Sequence, residues 1–248
     1  MERQRRIRKR RLVIFFCFFI VLMICIGITL SLTVFFPIEN IKVTGSNIYS
    51  AEEIVKHSGI TEGDNLFTVS RKQAEDLLKG TLPYVETVEF KRELPGTLTV
   101  KVTDAEEFAC YNINGRFYTV SGSGWVLKET SEKPQNLVEI VVSDAECEVG
   151  GEITFTDDRP PDIIDEILNS LYEVGLTANQ IDVSDKIAIS VKVEGRFNVY
   201  LGTSNNIYEK IRHLNGMIES IAPEKSGDIN LSMWTSSNTK GTFIEKTE

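Results

Sequence analysis

Alternating apolar and polar residues predict a β-hairpin between residues 82 and 102. The positions that share one face of the two strands are Val88, Phe90, Leu98, Val100 and Val102. A period of two is the pattern of a strand that buries one face and leaves the other in water. Pro95 and Gly96 separate the two runs. A type II turn accepts proline at its second position and glycine at its third, where φ is positive, so the pair predicts that turn.

The residues before this hairpin predict one strand and two short helices. In "IENIKVTG", Ile41 and Val43 share one face of a strand. Ser50 lies three residues before a glutamate, which is the spacing of a capping box, and Ser70 begins a second helix. The predicted order over residues 37–104 is strand, helix, helix, strand, strand. A small sheet with two helices on one face is an α+β module.

Residues 105–248 predict a second domain that is richer in β-strands. Glycine-containing turns separate its first short β-prone runs, which is typical of a meander. Two amphipathic helices follow, one after a Pro-Pro pair and one whose apolar residues recur every three or four positions from Ile207. Residues 187–201 alternate as a hairpin whose first strand includes Ile187, and two short strands end the chain. The prediction is a mixed antiparallel β-sheet domain with two helices, and an α+β class overall.

An uncharged apolar run of 25 residues, 12–36, precedes the first strand. A helix of that length spans about 37 Å, and the hydrocarbon core of a bilayer is about 30 Å thick. The run therefore predicts a transmembrane helix. A cleaved signal peptide is the alternative, although its apolar region is normally about 7 to 15 residues long and ends at a small-residue cleavage site.

The charges differ between the beginning and the body of the chain. Residues 1–11 hold seven Arg or Lys and one Glu, and the other residues hold 20 basic and 35 acidic side chains. Because positive charge marks the cytoplasmic side of a membrane helix, we expect this basic tip in the cytoplasm and residues 37–248 outside. An acidic body argues against nucleic acid as the main partner, since phosphate binding needs clustered cations.

The sequence contains no recognisable catalytic, metal-binding or cofactor-binding pattern. It has two histidines, His57 and His213, on predicted helices of different domains. We therefore expect no histidine metal cluster, no conventional catalytic triad and no cofactor. Cys110 and Cys147 leave one disulfide or two free thiols as alternatives, since two cysteines do not make a framework.

An anchored chain with two small β-containing domains and no catalytic pattern is better explained as a binding protein than as an enzyme. The unpaired N–H and C=O groups of a sheet edge can accept an added strand from a partner. A membrane-anchored extracellular cell-wall enzyme is the alternative, and it would need a nucleophile or a pair of carboxylates. A signalling ectodomain is a further alternative, although an 11-residue tip is too short to hold an output domain.

Several segments behind the single anchor resemble the FtsQ/DivIB family of bacterial cell-division proteins. They are "IKVTGSNIYSAEEI", "GDNLF", "LPYVETVEFKRELPGTLTVKV" and, nearer the C-terminus, "FNVYLGTSNNIYEKIRHLNGMI". The resemblance implies a membrane-proximal POTRA-type domain over residues 37–104. It also implies a non-enzymatic divisome scaffold at the division septum, which helps to coordinate septal peptidoglycan synthesis.

The resemblance implies partners and a binding surface as well. The partners are coiled-coil division proteins of the FtsB/DivIC and FtsL types, and the FtsB/DivIC type adds a strand to a late strand, here "GTFIE". The candidate contact residues are Trp234, Thr242, Phe243 and Ile244, with Ile41 and Val43 for recruitment through the POTRA-type domain. Packing within a sheet is the alternative for each of them. This chain has Asn230-Leu231-Ser232 where the family often has Asp-Leu-Arg, so a family ion pair at these positions is in doubt.

Overall fold

The computed structural model describes most of the chain as two compact units. The described residues are 14–27, 36–156, 159–235 and 237–246, and for Arg159 only the backbone is described. The boundary between the units falls between Asp104 and Ala105. Each unit has its own hydrophobic core.

Only part of the predicted membrane segment lies among the described residues. Residues 14–27 form helix α1, and all their side chains are exposed. The basic tip, together with residues 12, 13 and 28–35 of the predicted span, lies outside the described residues. Within the described part of the chain, no helix combines the length and the apolar composition that crossing a membrane requires.

The first unit folds as the predicted β-α-α-β-β module. Its elements are β1 (Asn40–Thr44), α2 (Ala51–Ser58), α3 (Arg71–Thr81), β2 (Val85–Glu93) and β3 (Thr97–Asp104). Strand β3 lies at the centre of the sheet, parallel to β1 and antiparallel to β2. The predicted order of elements is confirmed, and β1 and β2 are the two edge strands of this sheet.

Local sequence signals begin and end helix α2. The Ser50 side chain accepts a hydrogen bond from the Glu53 N–H, and the Glu53 carboxylate accepts one from the Ser50 N–H at 2.9 Å, which completes the capping box. The Ser50 N–H and the Ser50 hydroxyl both donate to the Glu53 carboxylate, and these two hydrogen bonds hold the pKa of that carboxyl below its ordinary value. Gly59 ends the helix at a φ of 68°, a conformation that glycine adopts without steric cost. The helices of this unit bury Ile54 and Leu78 in its core.

The turn between β2 and β3 differs from the predicted type II turn. The Leu94–Pro95 peptide bond is cis, and Gly96 does not have a positive φ. Glycine is required there for a different reason, because a Cβ atom would lie 2.7 Å from the Pro37 carbonyl oxygen. The Gly96 carbonyl accepts a hydrogen bond from the Glu39 N–H at 2.7 Å, so the turn packs against the segment that leads into β1. The proline-glycine pair therefore gave the position of the turn correctly and its type wrongly.

In its described residues, the second unit consists of a nine-stranded sheet, two helices and a small separate hairpin. Its strands are β4 (Glu107–Ile113), β5 (Arg116–Ser121), β6 (Val126–Thr130), β7 (Val138–Val142), β8 (Ala145–Glu146), β9 (Thr154–Phe155), β10 (Ala178–Asp182), β11 (Ile189–Val193), β12 (Phe197–Gly202), β13 (Gly227–Asn230) and β14 (Thr242–Glu245). Its helices are α4 (Arg159–Glu173) and α5 (Ile207–Ser220). The strand order is β14-β13-β12-β11-β10-β7-β4-β5-β6, and β8 pairs with β9. Parallel and antiparallel pairs both occur, so the prediction of a mixed sheet with two helices is confirmed.

Helices α4 and α5 lie side by side on one face of this sheet. The core beneath them includes Ile167 and Leu171 of α4, Ile211 and Leu214 of α5, and Val191, Val193, Val199 and Leu201 of the strands. The intervening strand residues face the other way, and polar side chains such as Asn198 and Asp228 hydrogen bond to each other there at 2.8 Å. Two layers with one open sheet face follow from the alternation along the strands.

Strand β11 begins two residues later than the sequence predicts. It starts at Ile189, whereas the side chain of Ile187 is 73% exposed in the preceding turn. The Ile187 N–H donates to the Asp185 side chain at 3.0 Å, so an aspartate-directed turn takes the place of the predicted strand start. Glu194 and Gly195, both with positive φ, lie between β11 and β12 at the predicted turn.

Candidate partner-binding edges

Strand β14 forms one open edge of the large sheet. Among the described residues it pairs only with β13, in antiparallel orientation. The Lys246 N–H donates to the Ser226 carbonyl at 2.9 Å, which fixes the phase of this ladder. Hydrogen-bonded and non-hydrogen-bonded residue pairs alternate in an antiparallel ladder. The backbone N–H and C=O groups of Ile244 therefore bond to β13, whereas those of Phe243 and Glu245 point away from β13.

The side chains of β14 alternate between the core and the open face of the sheet. Phe243 is half-buried and packs against the core, where its ring meets that of Phe197 edge to face. Ile244 is 63% exposed, and Thr242 is also exposed. A strand laid along this edge would therefore find unpaired backbone groups and an exposed isoleucine side by side.

Gly227 allows β14 to approach β13 closely. A Cβ atom at Gly227 would overlap the Ile244 carbonyl group and would lie 2.8 Å from the Phe243 ring. Only glycine avoids this overlap, which makes Gly227 a positioning residue for the edge strand.

Ion pairs flank the edge on both sides of the β13–β14 pair. The Lys225 ammonium donates to the Glu245 carboxylate at 2.9 Å, and this hydrogen bond raises the pKa of Lys225. The Lys246 ammonium lies 3.7 Å from the Asp228 carboxylate. Exposed pairs of this kind contribute little to stability, so they orient side chains at the edge more than they stabilise the strand.

Trp234 lies in the hydrophobic core and not on the open edge. Its side chain is buried beside helix α5, with the ring centroid 6.4 Å from that of His213. The indole N–H is buried and has no hydrogen-bond partner among the described residues. The structure thus brings Thr242, Phe243 and Ile244 together on one strand. It places Trp234 in the core, beside helix α5.

Strand β1 offers a second open edge, in the first unit. The Asn40 N–H donates to the Gly96 carbonyl at 3.2 Å, which fixes the phase of the parallel ladder with β3. The backbone groups of Ile41 and Val43 consequently point outward, while both side chains are half-buried against the core. A cavity of about 660 Å³, lined by Ile41, Val55 and Ile60 among others, lies beside this edge.

The described residues contain no group of three or more His, Cys, Asp or Glu side chains with a metal-binding arrangement. His57 lies in the first unit and His213 in the second. Cys110 and Cys147 are both free thiols, so the disulfide alternative is not realised in this structure. Burial raises the pKa of each thiol to about 11, which leaves little reactive thiolate at neutral pH.

Comparison with known proteins shows which proteins this chain is similar to. Residues 36–104 match the model of the FtsQ-type POTRA domain. DivIB of Clostridium botulinum strain Hall is 28% identical over 217 residues, which cover 84% of this chain and 81% of the relative. DivIB of Clostridium acetobutylicum is 25% identical over 214 residues, with 84% and 85% covered. FtsQ of Geotalea daltonii is 31% identical over 103 residues, with 42% and 37% covered.

The chain is thus similar to FtsQ/DivIB cell division proteins over most of its length, and residues 36–104 match the FtsQ-type POTRA domain. The resemblance drawn from the sequence is therefore confirmed, and the first unit is its POTRA domain. The relatives carry the name cell division protein, and the similarity to the two clostridial members extends over both units of this chain.

Asn230 and Ser232, where the resemblance would imply charged residues, form a local turn. The Asn230 side-chain oxygen accepts hydrogen bonds from the Ser232 N–H at 2.9 Å and from the Ser232 hydroxyl at 2.7 Å. Leu231, between them, is buried in the core. A neutral asparagine-directed turn thus follows β13 at the place where the family ion pair was in doubt.

Sequence reasoning missed Gly227 and Glu245, two residues that shape the edge. Gly227 matters because β14 lies so close to β13 at this point. Glu245 matters because its backbone N–H and C=O groups point away from β13. Neither property is visible in a hydrophobic pattern. The period of two in "GTFIE" identified the strand but not which of its residues have unpaired backbone groups.

Proposed function

We propose that this chain is a non-enzymatic scaffold of bacterial cell division. It binds coiled-coil division proteins of the FtsB/DivIC and FtsL types outside the cell membrane and helps to coordinate septal peptidoglycan synthesis. The names of the relatives support the division role. The observation that carries the binding role is the outward direction of the Phe243 and Glu245 backbone groups, next to the exposed side chain of Ile244.

Strand addition at β14 explains how the edge binds its partner. Two outward-facing residues offer two N–H donors and two C=O acceptors, and each hydrogen bond is worth about 0.5 to 1.5 kcal/mol net. Four such bonds supply roughly 2 to 6 kcal/mol, which is less than the roughly 8 kcal/mol of a micromolar complex. Side-chain contacts around Ile244 must therefore add to the backbone bonds. Tethering of both proteins to one membrane raises their effective concentration further.

The membrane placement rests on the apolar segment and the charges before it. Residues 12–36 hold the chain in the cell membrane as a single span, with the basic tip in the cytoplasm and residues 37–248 outside. Exposed aromatic and aliphatic side chains on α1, such as Phe15 and Leu22, suit contact with lipid tails. This topology puts both sheet edges on the side where septal wall is made.

Complementation of a depleted strain tests the proposed function. The bacterium that encodes the chain is depleted of it and supplied with a tagged wild-type, Ile244→Asp or Ile187→Asp copy. Both isoleucines are more than half exposed, but Ile187 lies in a turn away from the edge strand, so its variant is the matched control.

We expect depletion to produce filaments, and the wild-type and Ile187→Asp copies to localise at midcell and restore septation. The Ile244→Asp copy should leave filaments at the same protein level, because a desolvated carboxylate disrupts the contact with the added strand. Normal division after depletion would contradict the division role. Full rescue by Ile244→Asp would contradict the assignment of binding to β14.

A further inference from the structure

Strand β4 contains a bulge that exposes a phenylalanine at a second surface of the large sheet. The pairing with β5 shifts between Glu107, which lies opposite Ser121, and Ala109, which lies opposite Val120. Phe108 is the extra residue of this bulge, and bulges redirect side chains in this way. Phe108 lines the same cavities as Ala109, on the side of the sheet that carries the helices, and it is 56% exposed.

Two cavities share the Phe108 side chain as part of their lining. One has a volume of about 380 Å³ and includes Tyr111 and Phe155 in its lining, and the other has about 410 Å³ and includes Leu171 and Leu176. Both are lined by Phe108, Ala109, Ile140 and Leu168. Because the two cavities share these four residues, we call them together the Phe108 groove.

Helix α4 forms one wall of the Phe108 groove. Its lining residues Ile164, Leu168 and Leu171 recur at spacings of four and three, so they form one stripe along the helix. The helical layer of α4 and α5 therefore continues into an unfilled position above the β4 side of the sheet. An amphipathic helix lies naturally in such a groove, because its apolar residues have the same spacing as the wall.

The charged residues of the groove have one sign. Among its lining residues, all within the described part of the chain, Glu152 and Asp165 carry carboxylates and no lysine, arginine or histidine occurs. An apolar floor with an acidic rim favours a ligand that is apolar on one side and basic beside it.

The acidic rim also makes a second copy of the chain a poor ligand for the Phe108 groove. Outside the basic tip its charged residues are 20 basic and 35 acidic, so two copies would bring like charges together at the rim. The groove also lies six strand positions from β14, which is about 29 Å at 4.8 Å per strand. An occupant of the groove can therefore bind at the same time as a strand at β14.

We infer that the Phe108 groove is a docking site for a basic amphipathic helix of a partner protein. The apolar residues of that helix enter the two cavities that share Phe108, and its lysine or arginine residues lie against Glu152 and Asp165. This surface is separate from the strand-addition edge, so failure of one assignment leaves the other in place.

A direct test measures binding of a designed helical peptide to the full chain in phosphatidylcholine nanodiscs. The probe is a fluorescent peptide of about 15 residues with leucine on one face and lysine on the other, and the control peptide has glutamate in place of lysine. Empty nanodiscs give the blank, and fluorescence anisotropy gives the Kd. The variants are Phe108→Ala and Asp165→Lys, with Tyr200→Ala and Glu166→Lys as matched controls.

The controls match the variants in chemistry but not in position. Tyr200 is a partly exposed aromatic residue of β12, and Glu166 neighbours Asp165 on α4 without lining either cavity. We expect the leucine-lysine peptide to bind at least tenfold more tightly than the leucine-glutamate peptide. Phe108→Ala should weaken binding at least tenfold and Asp165→Lys about fivefold, whereas each control should stay within twofold.

Three results would overturn the inference. The first is equal binding of the two peptides, or binding no stronger than to empty nanodiscs. The second is wild-type affinity in both Phe108→Ala and Asp165→Lys. The third is self-association of the chain that is lost in Phe108→Ala, which would assign the groove to a second copy. Asp165→Lys changes an exposed side chain, so the test stands even where Phe108→Ala folds poorly.

Discussion

The ring of Phe243 meets the ring of Phe197 edge to face, with centroids 6.0 Å apart and planes at 73°. This contact joins the edge strand β14 to β12, across the intervening strand β13. Phe197 is fully buried, and the Arg196 guanidinium lies 4.7 Å from its ring centroid. The strand that we assign to partner binding is therefore held to the core by one aromatic side chain, while its backbone remains open on the other side.

Replacement of Phe243 by alanine should destabilise the second unit. The variant loses the aromatic pair and a half-buried ring, for an expected loss of about 2 kcal/mol in the free energy of unfolding. Ile244→Ala, next to it on the open face, should change that free energy by less than about 0.5 kcal/mol. Urea unfolding followed by tryptophan fluorescence measures both, because Trp125 and Trp234 belong to this unit. Equal losses in the two variants would show that Phe243 does not anchor the strand.

Addition of one methyl group at Gly227 should separate β14 from β13. The new Cβ atom overlaps the Ile244 carbonyl, so we expect faster amide hydrogen exchange in residues 242–246 and weaker partner binding. Gly216→Ala, in the middle of α5, is the matched control because no atom lies within 4 Å of its new methyl group. It should stabilise the protein by about 0.5 to 1 kcal/mol. Protection of β14 that is unchanged in Gly227→Ala would refute the close approach.

The buried lysine of α5 predicts a particular dependence of stability on pH. Lys210 is 1% exposed, and its ammonium donates to the carbonyls of Leu201 at 2.7 Å and Thr203 at 3.0 Å. Burial lowers the pKa of Lys210 below the ordinary 10.5, so the folded protein loses this proton at a lower pH than the unfolded chain. In that window the unfolded state binds more protons, and stability due to this group rises with pH.

The comparison with Lys210→Met isolates this group from the other lysines. The free energy of unfolding of the wild type minus that of the variant should be constant at neutral pH and should increase as the pH rises toward 10.5. Urea unfolding at a series of pH values measures the difference. A difference that stays flat or falls over this range would mean that Lys210 titrates normally in the folded state.

The sequence predicted the elements that depend on local signals. The capping box of Ser50 and Glu53 located α2, and alternation located the hairpin of β2 and β3, because both patterns act within a few residues. The family resemblance located the late strand that contains Phe243. None of these predictions requires knowing which strands or helices are neighbours in the folded protein.

The errors and omissions all involve contacts between distant segments or a local choice among turn types. Ile187 fits the alternation of β11, but the Asp185 side chain draws its N–H into a turn. Simple alternation would place Phe108 and Ala109 on opposite faces of β4, whereas the bulge places both side chains on the same face. The unpaired backbone of Glu245 depends on the register of β14 with β13. Register and bulges follow from three-dimensional packing, so the pattern of one strand does not contain them.

Glu245→Pro tests most directly whether a partner strand adds to the open edge of β14 by backbone hydrogen bonds. The Glu245 N–H points away from β13, so proline removes a donor from the open edge without removing a bond from the β13–β14 ladder. Glu245→Ala is the control, because it also loses the ion pair with Lys225 but keeps the N–H. Calorimetric titration of the full chain with the extracytoplasmic part of its FtsB/DivIC-type partner gives the Kd of each variant. We predict that Glu245→Pro binds at least tenfold more weakly than wild type, whereas Glu245→Ala stays within threefold, and equal affinities of the two variants would contradict strand addition at β14.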